Sequence, residues 1–314
     1  MQPRDLSALT PYEAGRGIEE VAREVGMDPA DLVKLSSNEN PHGPSPKAVE
    51  AMREHADGVH HYPKAAHADL QEALAERWDL SPEQVWLGNG GDGALDYLAR
   101  AMLDPDDAIL VPDPGFAYYA MSARYHHGRV ETYPLYRSED FEQRPEHVLD
   151  AYDGERIVYL ISPHSPTGRE IDRDAILEVA DGVDDDDVVV VDEAYGVYSE
   201  APSKADLVRE REDVAVLRTF SKSHGLAGVR LGYLLTPAAW ADAYARINTP
   251  FAVNELALRA GLAALEDHEH VERTVESAAW AREFIDETLT ARTWPSQGNY
   301  VLAAVGDAEA GFEA

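Results

Sequence analysis

The sequence predicts an α/β protein with a mostly parallel central sheet, covering helices and a small second domain. Three observations carry that expectation. Between residues 41 and 248, short apolar runs alternate with stretches of helical period, the pattern of a sheet covered by helices. One of those runs, 188–191, is four consecutive valines, which suits a central parallel strand covered on both faces. From Thr249 onward the period turns helical almost without a break.

Taken in order, residues 1–40 read as an arm with one amphipathic helix, GIEEVAREVG, ended by Gly26. Residues 41–248 form the large unit. Its expected strands are QVWLGN (84–89), AILVPD (108–113), RIVYLIS (156–162), DVVVVDEA (187–194), VAVLRTF (214–220) and GYLL (232–235). Residues 249–314 read as connecting helices, carried by NELALRAGLAALEDHEHVERTVESAAWAREFIDETL, and the start of a small domain. The first strand of that domain is expected at NYVLAAV (299–305). No internal repeat and no flexible linker interrupts the chain.

The segment TFSKSHGLAGVR (219–230) is the most informative for chemistry. Lys222 is one of five lysines in a chain with 22 arginines, and it follows a buried-strand pattern. Only lysine can lose its proton and form an imine with an aldehyde such as pyridoxal phosphate. Arg230, past a Gly-rich turn, is a permanent cation suited to a phosphate. A surface lysine in a strand-to-helix loop would read the same way on this segment alone. Upstream, VVVVDEAY places Asp192 at the end of a strand, the edge at which open α/β sheets bind ligands. A carboxylate there can keep a pyridine nitrogen protonated, and Tyr195 stands within reach of a ring oxygen. An aspartate ending a strand also serves as a simple cap.

These segments, with PYEAGRGIEEV (11–21), KLSSNENPHGPSP (34–46), HYP (61–63), GNGGDGALDYL (88–98), PDPGFAYY (112–119), SPHSPTG (162–168) and TFSKSHGLAGVRLGY (219–233), resemble the fold-type I pyridoxal-phosphate aminotransferases. Within that class they are similar to the histidinol-phosphate aminotransferases. The resemblance covers nearly the whole chain and implies pyridoxal 5'-phosphate as cofactor, bound by residues 41–248. It implies that Lys222 joins the cofactor and then shuttles a proton as the free amine. Asp192 would pair with the pyridinium, Tyr195 and Ser165 would face the ring oxygen, and Phe116 would stack on the ring. Gly90, Gly91 and Asp92, at the start of a helix, would hold the phosphate with Ser221 and Arg230. Tyr62 would reach that phosphate from a neighbouring subunit, which implies a homodimer, and Tyr12 would line the substrate side. The implied reaction is amino transfer between L-histidinol phosphate and 2-oxoglutarate in histidine biosynthesis.

Two departures from the family pattern carry expectations of their own. Ser165 stands where the family has an asparagine, and loss of that hydrogen bond to the ring oxygen should cost about 1–3 kcal/mol. The sequence ends at Ala314, where family members continue through a small domain bearing a substrate-clamping arginine. A fragment, or a catalytically impaired homologue, is therefore one reading. A phosphothreonine decarboxylase of the same fold is another. A third rests on Gly88, Gly90 and Gly93, which satisfy G-x-G-x-x-G with Asp113 twenty residues on, as in an NAD-dependent oxidoreductase.

Composition sets the surroundings. The 27 basic and 59 acidic residues give a net charge of −32, which argues against nucleic acid as a partner. The acid is spread along the chain rather than gathered in a tail, as in proteins of high-salt cytoplasm. No cysteine is present, so disulfides, thiol catalysis and thiolate metal sites are excluded. No apolar run approaches the eighteen or so residues of a membrane span, and the N-terminus lacks a signal-peptide core, so a cytoplasmic enzyme is expected. The run 184–187 reads as a solvated turn, and the pairs His60-His61 and His126-His127 lack partners at metal-ligand spacing. Trp240 and Trp280, at helical spacing, are expected in the core.

Overall fold

The computed structural model describes residues 6, 9, 17–64, 67–306 and 308. Among them seven strands form one sheet: β1 (Val85–Asn89), β2 (Ala108–Asp113), β3 (Arg129–Pro134), β4 (Ile157–Ile161), β5 (Val188–Asp192), β6 (Val214–Thr219) and β7 (Leu231–Leu235). The order across the sheet is β1-β7-β6-β5-β4-β2-β3. Only β7 runs antiparallel to its neighbours β6 and β1. The eleven α-helices among the described residues are α1 (Ile18–Val25), α2 (Pro46–His55), α3 (Ala68–Trp78), α4 (Gly90–Met102), α5 (Ala117–Tyr125), α6 (Pro145–Ala151), α7 (Arg173–Gly182), α8 (Leu207–Glu210), α9 (Ala241–Ile247), α10 (Glu255–Leu265) and α11 (His268–Thr288).

The strand period of two divides the apolar side chains between two cores. Val189 and Val191 of β5 join Leu70 and Leu74 of α3, Ile176 of α7 and Ala260 of α10 on one face. Val188 and Val190 join Leu95 and Leu98 of α4, Tyr119 of α5 and Tyr244 of α9 on the other. All five residues of β5 are buried, as its run of valines requires. Local signals set several helix ends. Gly26, left-handed at φ 70°, stops α1. Ser45 accepts from Ala48 N at 3.2 Å ahead of Pro46 to start α2, and Asn254 accepts from Ala257 N at 2.8 Å to start α10.

Four expectations need correction. The edge strand β3, RVETYP, escaped the strand pattern because its outer position leaves most of its residues exposed or half-exposed, with no continuous apolar run. NYVLAAV forms no strand; within it only Ala303 makes a β-bridge, to Thr293. Trp280 is not core: it is 64% exposed and stacks on the equally outward Phe284, whereas Trp240 leans on buried Trp86. In the acidic run, Asp184, Asp185 and Asp186 are exposed, but Asp187 is buried against the Tyr152 hydroxyl and Arg156. The helical pattern after Thr249 divides into α10 and α11 around Asp267, which accepts from Ser45 Oγ at 2.5 Å and from Lys47 N.

Candidate active site

Sheet register brings the distant motifs to one edge. Asp192 ends β5 opposite Leu217 of β6, and Lys222 follows in the turn beyond β6. Because β7 is antiparallel, its first residue lies at that same edge, paired with Asn89, so Arg230 meets the start of α4. Ile161 of β4 pairs with Asp192, which brings the loop with His164 and Ser165 alongside.

Asp192 is buried, and both its oxygens are engaged. Oδ2 accepts from the Tyr119 hydroxyl at 2.5 Å and Oδ1 from Ala194 N at 2.8 Å. Burial pushes its pKa up to about 6, and these two hydrogen bonds pull against that rise. Tyr119 is itself fully buried, stacked on Tyr159 at 4.3 Å. Lys222 donates from Nζ to Ser37 O at 3.0 Å and lies 5.3 Å from the centre of the Tyr195 ring. Tyr195 is almost buried; its oxygen accepts from Asn38 Nδ2 at 3.1 Å, and the ring of Tyr300 meets it edge-on at 4.8 Å.

Phe116 is half-buried at the head of α5, edge-on to Tyr119 at 5.4 Å. The loop carrying it is tied down by His164, whose Nε2 lies 3.0 Å from Pro114 O. A carbonyl can only accept, so Nε2 carries the proton and Nδ1 accepts from the Thr167 hydroxyl at 2.8 Å. Burial pushes the His164 pKa down to about 4, and this ring is neutral. Ser165 is half-buried beside the Tyr300 hydroxyl, which donates to His164 O at 2.9 Å.

Gly90, Gly91 and Asp92 open α4, whose N-cap residue Asn89 makes no side-chain hydrogen bond to them. Gly90 sits at φ +78°, and a Cβ there would come within 2.4 Å of Arg230 Nη2. The guanidinium thus lies directly against the first turn, held by Asp92 Oδ2 at 2.8 Å and Ala227 O at 3.2 Å. Burial raises the Asp92 pKa, and Arg230 opposes that shift. Ser221 Oγ lies 2.9 Å from Thr219 Oγ1 in the adjoining loop.

Of the described residues expected from sequence, only Tyr62 stands apart. Tyr62 is 81% exposed and stacks on Phe251 at 4.7 Å, on the surface. Tyr12 lies outside the described residues. Sequence reasoning missed Asn38, Tyr119, Asn299 and Tyr300. Each stood inside or next to a quoted motif, but its partner is 73 to 261 residues away in the chain.

The open helix terminus with its arginine suits a phosphate. The buried carboxylate suits a protonated ring nitrogen, and the lysine amine suits a carbonyl carbon. Fold and donor set together define an aminotransferase of the pyridoxal-phosphate type. The family model for class I and II aminotransferases matches residues 30–313. The histidinol-phosphate aminotransferase of Natronomonas pharaonis is 68% identical over 307 residues, covering 98% of this chain and 86% of the relative. That of Haloarcula marismortui is 66% identical over 310 residues, covering 99% and 86%. Among solved structures, histidinol-phosphate aminotransferase from Sinorhizobium meliloti, in complex with pyridoxal-5'-phosphate, superposes with a TM-score of 0.87 at 26% identity. The match covers 98% of this chain and 83% of that one. The chain belongs to the class I and II aminotransferases and, within them, to the histidinol-phosphate aminotransferase family. The dinucleotide reading of Gly88, Gly90 and Gly93 falls away, since Gly88 lies near the end of β1 and Gly90 and Gly93 in the first turn of α4, at the site of an aminotransferase.

Proposed function

We propose that this chain is a pyridoxal-phosphate-dependent histidinol-phosphate aminotransferase, moving an amino group between L-histidinol phosphate and 2-oxoglutarate in histidine biosynthesis. The observation that carries the reading is a buried carboxylate, Asp192, and a lysine, Lys222, delivered to one sheet edge by adjacent parallel strands. When bound, pyridoxal phosphate supplies the aldehyde that takes up the amino group and the pyridinium that draws electrons from the substrate α-carbon. Asp192 keeps the ring nitrogen protonated from a pocket where its own charge is otherwise costly. Lys222, as the free amine, would carry the proton between the substrate α-carbon and C4′ of the cofactor. Tyr195 would donate a hydrogen bond to the ring oxygen, and Phe116 would lie against the ring. Gly90, Gly91 and Asp92, through backbone N–H groups, hold the phosphate with Ser221 and Arg230. Ser165, shorter than an asparagine and set beside Tyr300, would leave the ring oxygen mainly to Tyr195.

Tyr62 is assigned to the phosphate of a second copy of this chain, in a homodimer, and Tyr12 to the substrate. The exposure of Tyr62, Val59, Val33 and Leu35 supports self-association, since large apolar side chains left in water favour burial. Sedimentation in molar KCl should give a dimer mass, and a monomer would remove Tyr62 from the site. The chain's setting is assigned to the cytoplasm, where histidine is built; no described helix is long and apolar enough to cross a membrane.

The test is an absorbance spectrum in molar KCl with pyridoxal phosphate. A visible band that is lost on adding L-histidinol phosphate and restored by 2-oxoglutarate supports the reaction. A band indifferent to L-histidinol phosphate, with CO₂ released from phosphothreonine, would replace it with a decarboxylase.

A further inference from the structure

We propose that Asn38 is a positioning residue that fixes the direction of the Tyr195 phenol proton, so that this single hydroxyl serves the cofactor's ring oxygen. The inference rests on the cofactor reading above. An amide NH₂ can only donate, so the 3.1 Å contact from Asn38 Nδ2 makes the Tyr195 oxygen an acceptor on that side. The phenol proton must then point elsewhere. Among the described residues no protein atom accepts it, so it remains available to a bound ligand. Tyr195 is 8% exposed, so bulk water competes little for that proton.

Asn38 is itself built to hold this orientation. Its backbone is left-handed at φ 50°, a conformation asparagine adopts more readily than most residues. Its carbonyl accepts from Asn299 Nδ2 at 3.0 Å. The preceding carbonyl, of Ser37, takes the Lys222 ammonium, and Asn40 Nδ2 donates to Ser223 O at 2.9 Å. The segment is thus pinned to the lysine turn on both sides of Asn38. The sequence gives the reason for this arrangement. By the family resemblance an asparagine is expected at position 165; the serine there is shorter and sits beside the Tyr300 hydroxyl. A site with one remaining donor gains most from having that donor aimed.

The proposal separates orientation from folding. Asn38→Gly keeps the left-handed backbone and deletes the donor. Asn38→Asp substitutes an acceptor of the same shape that captures the phenol proton. Donation to the ring oxygen stabilises negative charge there, so its loss should raise the pH midpoint at which the visible band of bound pyridoxal phosphate titrates. In molar KCl the expected rise is about 0.5 unit for Asn38→Gly and about 1 unit for Asn38→Asp. In a Tyr195→Phe background neither change should move the midpoint further. Midpoints unmoved by both single substitutions, or moved equally with Tyr195→Phe, would overturn the assignment. A fall in thermal midpoint alone would do the same, since it marks a merely structural residue. Absence of any Lys222-dependent band in the unaltered protein would instead overturn the cofactor reading, and the assignment with it.

Discussion

Asp192 ionises at a cost. Its pKa, about 6 in the folded chain against 3.8 for an ordinary aspartate, is raised by burial. A raised value means that its contribution to stability is full below pH 3.8 and is lost as pH rises through about 6. Above that, the cofactor-free protein carries a penalty of up to ~3 kcal/mol. Asp192→Asn should therefore raise the thermal midpoint of the cofactor-free protein at pH 8, while weakening pyridoxal phosphate binding at least about tenfold. A lower midpoint by calorimetry would show that the carboxylate is paid for by its hydrogen bonds. Lys222→Ala should abolish the borohydride-reducible band and leave the thermal midpoint nearly unchanged; a band that persists would move the covalent site elsewhere. His164 and His224 have the opposite pH signature. Burial holds their pKa values at about 4 and about 3, below the ordinary 6.5. Their stability is present above pH 6.5 and is lost as pH falls toward those values. For His164, which is fully buried, the loss is on the order of 3 kcal/mol. His164→Gln should flatten the acid side of the stability curve, read by thermal melts from pH 7 to pH 4.

At the scale of elements, the site depends on β7 meeting α4 at close range. A Cβ on Gly232 would stand 2.5 Å from Gly91 N, and one on Gly90 would stand 2.4 Å from Arg230 Nη2. Gly90→Ala should push the guanidinium off the helix start and strain a left-handed backbone, destabilising by about 1–2 kcal/mol. The telling readout is phosphate recognition: affinity for pyridoxal phosphate should fall, with that for pyridoxal little changed. Equal loss for both would mean that the substitution acts on the fold instead. The same scale explains the errors of element assignment. RVETYP is an edge strand with little apolar surface, so no run marks it. Trp280 and Phe284 follow helical spacing on α11, yet they stay 64% and 51% exposed and stack on each other.

For the whole molecule, charge dominates. A net charge of −32 on 314 residues means strong self-repulsion wherever salt does not screen it. Arginines are shared among several acids: Arg144 meets Glu139, Glu142 and Glu146, and Arg211 meets Asp181 and Asp213. Partly exposed pairs of this kind contribute little individually, so they cannot offset the excess. At about 1 M salt the screening length falls to about 3 Å and the repulsion largely vanishes. The thermal midpoint should therefore rise steadily from millimolar to molar KCl. A midpoint independent of KCl would show that the acidic surface is neutralised within the fold.

The sequence by itself determined the α/β class, six of the seven strands and the residues at the strand ends, because each of these is a local signal. Four valines before Asp192, a strand before Lys222 and two glycines opening a helix are readable without coordinates, since burial and chain direction are written in adjacent residues. The tertiary structure alone decided who holds these residues. Tyr119 on Asp192, Asn38 on Tyr195, Ser37 on Lys222 and Arg230 against Gly90 join positions that nothing in the local pattern relates. Such contacts depend on register and on one antiparallel strand, and a hydrogen bond across 157 residues leaves no periodicity to read.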